Sequence, residues 1–250
     1  MKLTFLGTSH GVPMTTRFCS AALVEIGDAA YLIDGGAPVG DLLIRRGIPY
    51  EKIRAVFATH MHSDHTAGLL GFISLSNWKF KTSSYEIFLP EQIGIDAFRE
   101  AVRVMDERFD DSRLRFRLVQ EGVVYSDDNL TVSAFRTRHM EGVGRPTFAY
   151  VLDAADGKRL IMTGDLHGGD AADFPEIAKA EPSDAIVCEM AHFNHDVIFP
   201  IVAACPTKRV LFNHVFRNYE ENMAAIREAE KTLSLGVPVH AVEDGESFEI

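Results

Sequence analysis

The apolar positions of this chain fall into short runs punctuated by glycine, proline and aspartate, and the runs change period along the sequence. Lys2–Leu6 is an apolar run that stops at Gly7. Ala21–Ile26 and Ala30–Ile33 are two more, separated by Gly27-Asp28, a dipeptide suited to a hairpin turn. Asp34-Gly35-Gly36 closes the second run. Over Pro38–Gly47 the spacing becomes helical (Val39, Leu42, Leu43, Arg46), with Gly47 placed to cap the end. Arg54–Ala58 is again a strand-like run. Glu86–Leu89 reads as a strand ending at Pro90, and Ile95, Phe98, Val102, Met105 and Phe109 then recur at spacings of 3, 4, 3 and 4 residues, which predicts an amphipathic helix over Glu91–Phe109. Leu114–Val119, Val123–Tyr125, Leu130–Phe135, Phe148–Leu152, Arg159–Met162, Ala185–Cys188 and Val210–Phe212 have strand character. Glu220–Leu233 shows Met223, Ile226 and Leu233 on one helical face, and Val237–Ile250 reads as two strands about Asp244-Gly245. Strands dominate in blocks, with helices between them, not in regular alternation. That order predicts an α/β (α+β) chain with two sheets packed together and covered by helices, a four-layer αββα sandwich.

Composition narrows the class. Of 250 residues, 46% are hydrophobic and 24% charged, which excludes a disordered chain. The length fits one large domain or two small ones, read here as one domain spanning 1–250, with enough buried surface for a core. No run approaches the ~18 apolar residues of a membrane span, so no membrane partner is expected. Met1–Gly11 reads as a first strand, not a signal peptide. Cys19, Cys188 and Cys205 are odd in number and far apart, which argues for a reducing, cytoplasmic setting and against a cysteine zinc site. The net charge of −11 disfavours nucleic acid, whose phosphates need clustered Lys and Arg. A small anionic substrate remains compatible if a metal supplies local positive charge. Neither a monomer nor a homodimer is excluded.

The chemistry concentrates in one segment. Thr59-His60-Met61-His62-Ser63-Asp64-His65 places three histidines and an aspartate within six positions, directly after an apolar strand. Imidazole and carboxylate are ligands that zinc prefers. His60 and His62 can point the same way from an extended strand end, and using all four side chains suggests two neighbouring metals. Three further residues sit just past apolar strands: His139 after Leu130–Phe135, Asp165 in Thr163-Gly164-Asp165, and His214 in Phe212-Asn213-His214. Singly, each is more often a hydrogen-bonded histidine or a turn aspartate. With the first cluster, the ligand reading dominates.

The set His60, His62, Asp64, His65, His139, Asp165 and His214, in that order, resembles the metallo-β-lactamase superfamily over essentially the whole chain. The opening Leu6-Gly7-Thr8-Ser9-His10-Gly11-Val12-Pro13, with Arg17 and Ser20, looks like its ribonuclease Z and phosphodiesterase branch, and Leu32-Ile33-Asp34-Gly35-Gly36 is similar to that superfamily's second strand. The resemblance implies the same αββα fold. It implies two zinc ions, with manganese or iron as alternatives. His60, His62 and His139 would hold one, Asp64, His65 and His214 the other, and Asp165 would bridge them. It further implies a shared hydroxide as attacking group, since metal lowers the pKa of bound water to about 7. Asp34 is a candidate acceptor behind the ligating histidines.

The resemblance leaves the substrate open. In Cys188–His195, a segment that only partly follows the ribonuclease Z pattern, His192 and His195 are the candidates for a general acid. His10 could touch substrate, and Arg217, in a loosely matching segment, could bind phosphate. His240 reads as structural and His167 as a weaker candidate. Ribonuclease Z enzymes carry a long Gly/Pro-rich arm that grips transfer RNA, whereas only 25 residues separate His139 from Asp165 here. The expectation is a metal-dependent phosphodiesterase acting on a small phosphodiester or cyclic phosphate. The alternatives are a carboxyl-ester, lactone or thioester hydrolase on the same metals, ribonuclease Z-like 3′ processing of transfer RNA, and a metal-binding scaffold without turnover.

Overall fold

The computed structural model describes residues 1–12, 14–106 and 108–250. Pro13 of the opening motif and Glu107 of the expected helix lie outside the described residues. The chain divides into two compact units: Met1–Val119 with Asp244–Glu249, and Gln120–Glu243 with Ile250.

The first unit is built on a seven-stranded sheet. Its strands are β1 (Lys2–Gly7), β2 (Ala21–Ile26), β3 (Ala29–Ile33), β4 (Ile53–Phe57), β5 (Tyr85–Leu89), β6 (Leu114–Leu118) and, from the far end of the chain, β14 (Ser247–Glu249). They lie in the order β14-β1-β2-β3-β4-β5-β6. The hairpins β14–β1–β2–β3 are antiparallel, and β3–β4–β5–β6 are parallel. Parallel strands are covered on both faces, which is why Ala55–Phe57 and Ile87–Leu89 are apolar without alternation and wholly buried or nearly so. Helices α1 (Val39–Arg45), α2 (Ser63–Trp78) and α3 (Gln92–Asp106) belong to this unit. Leu69, Phe72 and Ile73 of α2 enter a core with Leu32, Val56 and Ile87. Tyr50 and Tyr85 both meet Phe72 there, with ring centroids 4.9 and 5.2 Å away.

The second unit repeats the scheme with strands β7 (Gly122–Ser126), β8 (Leu130–Thr137), β9 (Thr147–Ala154), β10 (Arg159–Met162), β11 (Ala185–Met190), β12 (Val210–Val215) and β13 (Val239–Ala241), ordered β13-β12-β11-β10-β9-β8-β7. Here β7 to β10 are antiparallel and β10 to β13 parallel. Helices α4 (Glu176–Ala180), α5 (His195–Ala203) and α6 (Tyr219–Thr232) complete it. Met223 and Ile226 of α6 share a core with Ile161, Ile186, Cys188 and Phe212.

The expected class, an α/β chain on two sheets with helices, is what the structure contains. Two local expectations change. His214 does not follow its strand; it lies inside β12, with a left-handed φ of 55° at a shift in register against β11. The two expected strands about Asp244-Gly245 are present, β13 extending the second sheet and β14 the first. The helix predicted to reach Phe109 is α3, which ends at Asp106.

One glycine fixes how β3 meets α2. A Cβ on Gly36 would stand 2.1 Å from the carbonyl oxygen of Asp64, a backbone atom that cannot swing aside. Gly36→Ala is therefore expected to lower stability by about 3 kcal/mol, the upper end of ordinary overpacking. A thermal melt of the variant measures this; an unchanged midpoint would show that the β3–α2 approach is looser than the structure has it.

Candidate active site

In the first unit the site residues gather where β3 and β4 end. Parallel strands deliver their chain to one edge of the sheet, and loops there hold chemistry on a rigid frame. Asp34 follows β3 with a left-handed φ of 58°, a strained choice for a non-glycine residue that is found at functional positions. Its buried carboxylate accepts the backbone N–H of Thr59 (2.7 Å), the Thr59 hydroxyl (3.0 Å) and Nδ1–H of His65 (2.7 Å). Nδ1 of His60 lies 3.0 Å from the Thr59 hydroxyl. The hydroxyl proton goes to Asp34, so His60 donates from Nδ1. One carboxylate thus sets the tautomer of two histidines and leaves Nε2 of each with its lone pair outward. The Nε2 of His60 faces Nδ1 of His62 at 2.9 Å, and Nε2 of His65 lies 3.4 Å from Asp64 Oδ2. His60, Asp64 and His65 are buried and His62 is exposed.

The opening loop is pinned beside them. Asp244 accepts the backbone N–H of Thr8 (2.8 Å), the Thr8 hydroxyl (2.7 Å) and the backbone N–H of Phe18 (2.5 Å), while Arg17 donates to the Thr8 hydroxyl at 2.7 Å. His10 is buried, and its Nδ1 accepts the Val12 N–H at 3.1 Å. At Gly11 a Cβ would lie 3.6 Å from Asp64 Oδ2, so this loop runs past the aspartate. Burial first, and then the charge of Asp64, raises the Cys19 thiol above its usual pKa, so it stays a neutral thiol at this rim.

In the second unit Asp165, just past β10, is the centre. Its Oδ2 lies 3.8 Å from His139 Nε2, 3.9 Å from His192 Nε2 and 3.4 Å from His214 Nε2. Nδ1 of His139 is 3.2 Å from the Leu166 carbonyl, which can only accept, so Nδ1 is protonated and Nε2 carries the lone pair. Nδ1 of His192 is 2.9 Å from Glu189 Oε1, with the same consequence. Glu189 also takes the backbone N–H of Leu166 (3.0 Å), Ala191 (2.5 Å) and His192 (3.2 Å). Asp173 accepts the N–H of Arg138 (2.5 Å) and of His167 (2.8 Å), tying the His139 loop to the Asp165 loop.

These residues fit a divalent cation. The Nε2 atoms of His139, His192 and His214 lie 3.4–3.9 Å from the Asp165 carboxylate. Nitrogen and oxygen donors whose outer nitrogens are held in place are the arrangement a metal stabilises, and His60, His65 and His139 are held in that way. The metal-capable residues are His60, His62, Asp64 and His65 in the first unit and His139, Asp165 and His214 in the second.

The structure separates the two general-acid candidates. His192 turns to Asp165, whereas His195 begins α5 and gives its Nδ1 and its backbone N–H to Asn222 Oδ1 (3.1 and 2.9 Å). Arg217 is exposed and reaches the His192 carbonyl at 3.4 Å. His167 pairs with Asp170 at the surface, and His240 pairs with Glu230. Sequence reasoning missed Glu189 and Asp173 as organisers. A glutamate at the end of an otherwise apolar strand, in Ile186-Val187-Cys188-Glu189, was the available signal for the first; Asp173 carried none.

The chain has the metallo-β-lactamase fold. Human tRNase Z, short form, superposes with a TM-score of 0.75 at 20% identity over 100% of this chain and 99% of that one. The metallo-beta-lactamase fold protein YhfI from Bacillus subtilis does so with 0.77 at 20% identity, over 99% and 98%. Ribonuclease Z of Cyanothece sp. is 33% identical over 141 residues, 56% of this chain and 43% of that protein. The chain spans about half the length of the curated relatives it matches. Residues 1–199 match the profile described as Anti-Pycsar protein Apyc1, and the chain belongs to that family.

Proposed function

We propose that the chain is a dinuclear, zinc-dependent phosphodiesterase acting on a small phosphodiester or cyclic phosphate. The observation that carries this is the buried carboxylate of Asp165 with the Nε2 atoms of His139 and His214 at 3.8 and 3.4 Å, His139 being turned by the Leu166 carbonyl behind it. As the resemblance implies, residues 1–250 would act as a single functional domain. His60, His62 and His139 would hold one ion, Asp64, His65 and His214 the other, and Asp165 both. Manganese and iron suit the same nitrogen and oxygen donors. When bound, the metals supply a Lewis acid and a water whose pKa falls to about 7.

The chain's own residues do the rest. Asp64, on the first turn of α2, would orient the attacked group. His192 would take up a proton at its Nε2 lone pair and pass it to the leaving oxygen, with Glu189 on Nδ1–H stabilising the charged ring in between. Arg217, exposed beside the His192 carbonyl, would contact phosphate, and His10 the substrate's outer part. His195 is left out of this scheme because Asn222 holds it. Phosphorus chemistry is supported by the ribonuclease Z relatives, whose name denotes RNA cleavage. No helix among the described residues is long and apolar enough to cross a membrane, and Cys19, Cys188 and Cys205 are unpaired, in keeping with a cytoplasmic setting.

The test is turnover of metal-loaded protein on bis-p-nitrophenyl phosphate and cyclic nucleotides, beside lactones and thioesters. Hydrolysis of a carboxyl ester or lactone far above any diester would replace this reading; metal binding with no turnover would leave a scaffold. Asp34→Ala adds a test of the support behind the ligands. It removes the acceptor that orients His60 and His65, and metal retention is expected to weaken about 10–100-fold. Competition with a chelating dye measures it, and unchanged affinity would deny Asp34 that role.

A further inference from the structure

Trp78 is the only tryptophan of the chain, and it stands 53% exposed at the last position of α2. A ring of that size left half in water offers a large apolar face to a ligand. It lines a cavity of about 680 Å³, within the range of small-molecule sites. The floor of this cavity is held on several sides. Arg113 donates to Asp110 Oδ2 at 2.7 Å, to the Ser83 carbonyl at 2.7 Å and, at 3.4 Å, to the Asn77 carbonyl in the last turn of α2. Asn77 donates to the Arg108 carbonyl at 2.8 Å and accepts the Asp110 N–H at 3.0 Å, which ties the helix end to the turn that follows α3. Phe109, stacked on Phe116 with centroids 5.4 Å apart, supplies an apolar wall.

The charges at the cavity run against the rest of the chain. Lys81, Arg108 and Arg113 face one acid, Asp110, in a protein of net charge −11. Asp110 is already engaged by the Ser112 hydroxyl and by Arg113, which hold its carboxyl below the usual range. Nearby, Arg99 is paired with Asp111, and Arg115 and Arg117 with Glu86. Lys81 and Arg108 are exposed, and neither side chain has an acidic partner among the described residues. Two uncommitted cations from separate segments suit a doubly charged phosphate better than a single carboxylate, and a flat ring suits the indole face.

We infer that this cavity binds an aromatic phosphate monoester, with its ring on Trp78 and its phosphate between Lys81 and Arg108. Asp64 and Trp78 lie on the first and last turns of α2, about 21 Å apart along the axis, so the site is separate from the metal-capable residues. The inference does not depend on the reaction proposed above. One stack and two exposed charges predict a dissociation constant on the order of 0.1–1 mM.

Because Trp78 is the sole tryptophan, its fluorescence reports on its own surroundings. Titrating the full chain with guanosine 5′-monophosphate, excited where indole absorbs and the base does not, should give saturable quenching. Guanosine keeps the ring without the charge and should bind about tenfold more weakly or worse. Lys81→Ala and Arg108→Ala together in one chain should weaken the nucleotide by a similar factor with an unchanged thermal melt, since both side chains are exposed. His62→Ala, at the other end of α2, should leave the titration as it is. Absence of saturable quenching would overturn the inference. So would equal binding of nucleoside and nucleotide, or a double variant that binds as the parent does. Quenching abolished by His62→Ala would also overturn it, by placing the nucleotide at the metal-capable residues instead.

Discussion

Replacing Asp165 by alanine is expected to lower diester turnover on the order of 10³-fold at saturating zinc, well beyond the loss from His214→Ala. The reason lies in what surrounds the carboxylate. Asp165 Oδ2 is within 3.9 Å of Nε2 on His139, His192 and His214, whereas each of those rings faces that one carboxylate from its own side. Removing Asp165 takes the shared negative charge from all three at once. Removing His214 takes one imidazole donor, whose place a water can fill in part. The aspartate is also buried, so no solvent charge substitutes for it. The measurement is kcat/KM of both variants on one diester, with metal content determined alongside. Equal losses for the two variants, with equal metal content, would show that the carboxylate has no privileged position.

That centrality was only partly legible in the sequence. The cluster Thr59–His65 was readable because four liganding residues behind one apolar run is a rare pattern, and the run itself is β4. Asp34 was readable as a candidate support because Ile33-Asp34-Gly35-Gly36 ends a strand in a turn-forming sequence; its hold on His65 and Thr59 is the physical content of that guess. His192 and His195 could not be ranked from sequence. They are three residues apart, and which one faces Asp165 is decided by where β11 stops and α5 starts. The strand's last turn directs His192 over Glu189, and the helix start gives His195 to Asn222 on α6, a residue 27 positions away. Helix α5 itself was missed because Pro200 interrupts its pattern, and the sequence did not assign β13 and β14 to a sheet because adjacency in sequence says nothing of which sheet each strand joins.

A small diester is expected to be turned over at least about 10³ times faster than a precursor transfer RNA is cleaved at its 3′ end, compared at equal enzyme concentration. The ribonuclease Z relatives give this its edge, since they argue for the opposite substrate size. Three observations favour the small one. The span between His139 and Asp165 is filled by a short turn at Glu141–Val143 and the strands β9 and β10, which leaves no length for a protruding arm. Basic residues that could have tracked a backbone are spent on neighbours: Arg115 and Arg117 on Glu86, Arg113 on Asp110, Arg99 on Asp111 and Arg159 on Asp153. The net charge of −11 repels an extended polyanion wherever it approaches within a Debye length of the surface, about 8 Å at physiological salt. A single phosphate escapes that repulsion because it meets only the metal centre, where two cations would dominate the local field. The same argument predicts a shallow salt dependence: a ligand neutralising one phosphate changes log K by a slope of about −1 at most, against far steeper slopes for a protein gripping many phosphates. Assays of both substrates across a salt series carry the decision. Efficient 3′ cleavage of the transfer RNA with a steep salt slope would mean that the chain binds nucleic acid through a surface its charge distribution does not reveal, and the small-diester reading would fall.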